Sequence, residues 1–186
     1  VQVDNSIEER AIPDTKWDGW WCYGGLNRDT FLELRPPVAV ARAWMDTRRE
    51  GDAWVADLHI VPDVAPTGPG QTLVKARLHG PNVQATLESA FDRANPAPVR
   101  FGFRFNADEI EAWSPSHPSL YDVTVTVGDH KVGFRSAFRQ IETRGSRIYL
   151  NGEPFTVKGI ARHEDYPGHG NTVPRERTRR DVEDIK

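Results

Sequence analysis

Cysteine is nearly absent from this sequence: Cys22 is the single one in 186 residues. With no second thiol there is no intramolecular disulfide, so the fold does not rest on one, and the composition fits a reducing compartment. As a nucleophile Cys22 would need a neighbouring base. Its surroundings, WWCYGG, offer only aromatics and glycines, and it reads as a packed thiol. No stretch is uniformly basic and the net charge is −3, which leaves no electrostatic footprint for nucleic acid or an anionic membrane surface. No apolar run is long enough to span a bilayer. The first residues, VQVDNSIEERAIP, lack the basic head and apolar core of a secretory signal. Repeats and low-complexity tracts are missing as well.

What is present is alternation. In WVADLHIV, Trp54, Ala56, Leu58 and Ile60 face one way and Asp57 and His59 the other. The same period of two runs through LVKARLHG (Val74, Ala76, Leu78), VRFGFRFN (Val99, Phe101, Phe103, Phe105) and LYDVTVTVG (Tyr121, Val123, Val125, Val127). Turn-forming stretches separate these runs: PDVAPTGPG, HGPN, RANPAP, WSPSHPS and GDH. About seven short strands punctuated in this way predict an immunoglobulin-like β-sandwich over residues 35–138, with the Pro36-Pro37 pair as a linker at its start. Trp113 and Tyr121 are expected in its core, and His59, His79, His117 and His130 on its exposed strands and turns.

The pattern then changes. Asn151-Gly152 between the apolar runs RIYL and PFTV is a strong hairpin signal. The second arm is expected to continue as a strand through GIARHE, followed by a loop rich in Pro and Gly and then a helix. Pro174 suits the first helical turn, and Asn171 or Thr172 suits its cap. Thr178, Val182 and Ile185 share a helical face, and pairs such as Arg177 with Asp181 match helical spacing. Strand, loop, helix is the unit of a parallel α/β structure, and one such unit does not stand alone. The alternating start at Val1 and the helical pattern running to Lys186 read as the interior of a longer protein.

The segment GIARHEDYPGHG (159–170) concentrates the chemistry. His163, Asp165 and His169 are metal-type ligands, but HED lacks the HExxH helical spacing, and neither a dedicated metal site nor a cofactor is expected. Glu164 and Asp165 are adjacent, so on a strand they point to opposite faces and do not flank one bond as an acid/base pair. A pocket wall fits better: at the C-terminal end of a βα strand, Arg162, His163 and Glu164 face the ligand crevice. A histidine there hydrogen-bonds a hydroxylated substrate. Arg162 and Glu164 suit either substrate contacts or structural ion pairs.

Four separated motifs, GWWCYGGLNRDTFLEL (19–34), WSPSHPSLY (113–121), VGFR (132–135) and LNGEPFTVKGIARHEDYPGHG followed by DVEDIK, resemble glycoside hydrolase family 2, the β-galactosidase and β-glucuronidase family. The resemblance covers essentially the whole chain. It implies a mainly β architecture: the end of a jelly-roll sugar-binding domain (1–34), the immunoglobulin-like sandwich (35–138), and the first βα unit of a (β/α)8 barrel (139–186). It also implies a retaining exo-glycosidase mechanism with two glutamates contributed by later barrel strands, so residues 1–186 alone are expected not to hydrolyse a glycoside.

The candidate substrate contacts are His163, Asp18, Arg162 and Glu164. His163 matches the family's first-strand histidine. Asp18 stands one residue before the position of the family's jelly-roll Asp, which is Gly19 here, and Cys22 stands where Asn is common. Trp17, Trp20 and Trp21 are expected to pack between domains rather than stack on sugar. The implied partners are a carbohydrate substrate and the remaining barrel and jelly-roll parts of the same protein, with a homo-oligomer of the whole compatible; no nucleic acid and no membrane is expected. A second class of reading is a non-catalytic β-sandwich module that binds carbohydrate or protein. The GIARHED segment with its following helix speaks against it.

Overall fold

A computed structural model describes residue 26, residues 28–65 and residues 68–186. Contacts divide the chain into two compact units, Leu34–Val157 and a second formed by Lys158–Lys186 with the segment up to Glu33. No helix among the described residues is long and apolar enough to cross a membrane.

The first seven strands of the larger unit, all antiparallel, form two sheets. One holds β1 (Val38–Glu50), β2 (Ala53–Val64) and β5 (Val99–Asn106) in the order β1-β2-β5. The other holds β3 (Gln71–His79), β4 (Gln84–Asp92), β6 (Tyr121–Val127) and β7 (His130–Ser136) in the order β4-β3-β6-β7. The pairs β1–β2, β3–β4 and β6–β7 are hairpins, and the other links cross between sheets, the Greek-key wiring of an immunoglobulin-like sandwich. Alternation does what the pattern predicts. Ala56, Leu58 and Ile60 of one sheet and Val74, Ala76, Leu78 and Val125 of the other are wholly removed from water and form one core. Each of the larger aliphatic side chains contributes about 1.5–3 kcal/mol by burial.

Phe138, which follows β7, closes that core. It is fully buried, with its ring edge-on to Trp54, Phe105 and Tyr121 at centroid distances of 5.9, 5.8 and 4.8 Å. Trp113 N donates to Phe138 O at 2.8 Å. Beyond it lies a small sheet, β10-β9-β8, made of β8 (Ile141–Arg144), β9 (Arg147–Leu150) and β10 (Glu153–Phe155). The Asn151-Gly152 hairpin forms as expected, with φ of 53° and 89° at its two central residues, as a type I′ turn requires. Asn151 also ties this sheet to the sandwich: its Oδ1 accepts from Gln140 N at 2.9 Å and its Nδ2 donates to Trp113 O at 3.0 Å.

Three features depart from the sequence reading. Pro62 lies inside β2 rather than in the turn after it. Lacking an N–H, it breaks the ladder, and the register slips between Val40 and Arg42 so that Ala41 bulges. On the other side of β1 the Val40 N–H donates to His130 Nδ1 on β7 at 3.0 Å, which gives His130 a structural bond between the two sheets. His59 is likewise half-buried, stacked on Trp44 at 4.8 Å with rings 7° apart. Along the later part of β1, Thr47 Oγ1 donates to Arg139 O at 2.9 Å, and Arg49 N donates to Gln140 Oε1 at 2.5 Å.

Tyr121, at the start of β6, is a tyrosine corner. Its hydroxyl accepts from Glu111 N at 2.9 Å and donates to Glu111 O at 3.3 Å, and burial pushes the phenol's pKa up. Gly80 lies against this ring: a Cβ there would come within 2.2 Å of it. Asp57 points away from the core yet is only 7% exposed, because Arg48 and Arg100 cover it. Hydrogen bonds from Arg100, then Arg48, outweigh the cost of burial and hold its carboxyl below the usual aspartate range.

Two predictions follow from this packing. Tyr121→Phe orphans Glu111 N–H and lowers unfolding free energy by about 1–2 kcal/mol, and Gly80→Ala lowers it further; equilibrium denaturation measures both, and wild-type midpoints for the pair would rule out the corner as a stabilising contact. Because the folded-state pKa of Asp57 is depressed, its contribution is complete above the unfolded value of about 4 and disappears as pH falls through the folded value. Asp57→Asn therefore costs about 1 kcal/mol at neutral pH and less in acid, and a pH-independent difference from wild type would contradict this.

Candidate functional site

The segment expected to form a strand through GIARHE pairs with no strand among the described residues: the ladder stops at Phe155, and residues 156–165 carry no regular structure. A parallel strand takes its hydrogen bonds from strands on either side, and none lies beside it here.

The following loop is well defined. Pro167 and Gly168 occupy the centre of a type II turn, closed by His169 N donating to Tyr166 O at 2.9 Å; Gly168, at φ 81°, supplies the left-handed conformation this turn needs. Tyr166 and Gly170 exchange backbone hydrogen bonds of 3.0 Å in both directions. The helix α1 (Arg175–Ile185) follows. Pro174 stands at its N-cap position rather than inside the first turn, and no side chain caps it; Thr172 Oγ1 donates instead to His169 O at 2.5 Å. Arg177 lies over the Tyr166 ring at 4.9 Å, which joins loop to helix.

The candidate residues divide as follows. Arg162 donates through Nε and Nη2 to Asp181 Oδ2 at 2.9 and 2.5 Å, while Arg177 pairs with Asp181 Oδ1 at 3.0 Å. Asp181 thus holds two guanidinium groups with its side chain 19% exposed. Glu164 pairs with Arg28, whose Nη1 also donates to Asn171 O at 2.8 Å. His163, between these two anchored neighbours, is exposed. Asp18, with Gly19, Cys22 and the tryptophans at 17, 20 and 21, lies outside the described residues. Glu164 borders an open cleft of about 870 Å³, lined also by Arg28, Val173, Thr178, Val182 and Lys186. Val182 and Ile185 are 55% and 48% exposed, so the apolar face of α1 is uncovered among the described residues. No three His, Cys, Asp or Glu residues among them are grouped to hold a metal ion.

Sequence reading anticipated the Arg177–Asp181 pair but not Arg28 or the second partner of Asp181. Nothing local signals them, since Arg28 and Glu164 are 136 residues apart. Two of the family-like motifs lie in the sandwich: Tyr121 of WSPSHPSLY makes the tyrosine corner with Glu111, and VGFR lies in β7.

No family model matches the chain. Among curated proteins, a β-galactosidase from an Arthrobacter species is 27% identical over 89% of this chain and 15% of its own length. Among solved structures, a family 2 β-galacturonidase from Eisenbergiella tayi is 26% identical, covers 97% of this chain and 32% of its own, and superposes with a TM-score of 0.79. A β-glucuronidase from Bacteroides uniformis shares the fold, at 19% identity over 78% of this chain and 20% of its own, with a TM-score of 0.66. The chain is related over its length to enzymes of glycoside hydrolase family 2. It spans about a third or less of each protein it matches here.

Asp181→Asn keeps the shape and removes the charge that both arginines share. Amide exchange across α1 is expected to accelerate, by an amount equivalent to about 1 kcal/mol. Unchanged protection would show that the helix is held by other contacts.

Proposed function

We propose that this chain is a segment of a retaining exo-glycosidase acting on a β-glycoside. The observation that carries the reading is the likeness, over 97% of the chain, to a family 2 β-galacturonidase at 26% identity. In this reading residues 1–34 end a jelly-roll domain, 35–138 are a spacer sandwich, and 139–186 begin the barrel. The exposed imidazole of His163 reaches a sugar hydroxyl, Asp18 supplies a second contact from the jelly-roll side, and Arg162 and Glu164 form the wall on either side of His163. The two glutamates of the retaining mechanism, about 5 Å apart, come from outside residues 1–186: one protonates the leaving oxygen and the other attacks the anomeric carbon.

The sandwich itself contributes support. On its outer face Asp57 and Glu50 are held by Arg48, Arg100 and Arg104. In this reading its role is to position the sugar-binding part against the barrel mouth.

His163→Ala in the whole protein that carries this segment removes one hydrogen bond to the sugar. It is expected to lower kcat/KM for nitrophenyl β-glycosides about 10- to 100-fold, with the melting temperature unchanged. Wild-type kcat/KM in the variant would remove His163 from the site.

A further inference from the structure

Arg28 does not belong to the 159–170 segment, yet its guanidinium spans it. One arm, Nη1, donates to the backbone carbonyl of Asn171 at 2.8 Å, and the other, Nη2, pairs with the carboxylate of Glu164. The two acceptors flank the Tyr166–Gly170 turn on either side. The turn is closed internally by its own backbone bonds, so the fork fixes a compact body rather than a slack loop. From the opposite direction Arg162 is tied to Asp181 on α1. His163 therefore stands between two residues whose side chains are both anchored, one to the helix and one to Arg28.

A lone exposed ion pair contributes little, and the side chains of Arg28 and Glu164 are 59% and 50% exposed. The planar guanidinium changes this, because it addresses a side chain and a main-chain carbonyl at once, a geometry that an ammonium group does not reproduce. We propose that Arg28 is the positioning residue of the candidate site: it clamps Glu164 to Asn171 and so sets where His163 projects. The proposal rests on the glycosidase reading for its kinetic consequence, but not for the clamp itself.

The test has two arms. In the whole protein that carries this segment, amide exchange at Tyr166 and Gly170 is expected to accelerate on the order of tenfold in Arg28→Ala. Glu164→Gln, which keeps an acceptor for Arg28 but removes the charge, gives a smaller acceleration, and Arg28→Lys recovers only part of the loss. In the whole protein, Arg28→Ala raises KM for a nitrophenyl β-glycoside about five- to tenfold with kcat within about twofold, the signature of a displaced binding wall. Unchanged exchange in Arg28→Ala overturns the clamp whatever the activity. Accelerated exchange with unchanged KM, while His163→Ala remains impaired, overturns the positioning role. If His163→Ala is itself fully active, the glycosidase assignment of this site falls, and the exchange arm alone decides the clamp.

Discussion

The larger unit depends on one constraint: two sheets must bury one face each, and the space between them must be filled at its open end. Phe138 fills it. Its ring meets Trp54, Phe105 and Tyr121 edge-on, so one side chain touches both sheets and the tyrosine corner together. Everything just after β7 inherits its position from that contact. The strap through Arg139 and Gln140 runs beside β1 because Phe138 cannot leave the core, and Asn151 then has fixed partners on both sides. The small sheet thereby belongs to the sandwich, although no strand of one pairs with a strand of the other.

The two classes of charged contact differ in their surroundings. Asp57 is roofed by two arginines on a rigid sheet, and the shift of its carboxyl reports that enclosure. Arg28 and Glu164 meet in the open, where attraction is weak and geometry matters more than strength. Such a contact is suited to aiming a loop rather than holding a fold together.

Sheet structure was legible in the sequence wherever alternation was unbroken, as in VKARLH and YDVTVTV, because burying one face imposes a period of two. β1 was harder to read because its bulge at Ala41 interrupts the period, and Pro62, which lies beside that bulge on β2, carries the local signature of a turn. Asn151-Gly152 was legible because its backbone conformation is a property of two residues. Its tether to Trp113 was not, since that joins positions 38 residues apart. The same holds at the candidate site. The Pro-Gly turn is written in the chain locally, whereas the partners of Arg162 and Glu164 follow from the fold. The cap expected from Asn171 or Thr172 does not form because the helix begins at Arg175 with Pro174 at its N-cap position, which leaves both residues outside the cap.

The slip at Pro62 has a consequence for solution behaviour. β1 is 13 residues long and lies at the edge of its sheet, the kind of strand on which a second chain can add a further one. Here both ends of that margin are taken. The imidazole of His130 takes the Val40 N–H at one end, and the side chains and strap around Thr47, Arg139 and Gln140 take the other. The bend at Ala41 keeps the strand from lying flat. These contacts and the bulge leave this edge a poorer template for intermolecular β-addition than an open, flat strand.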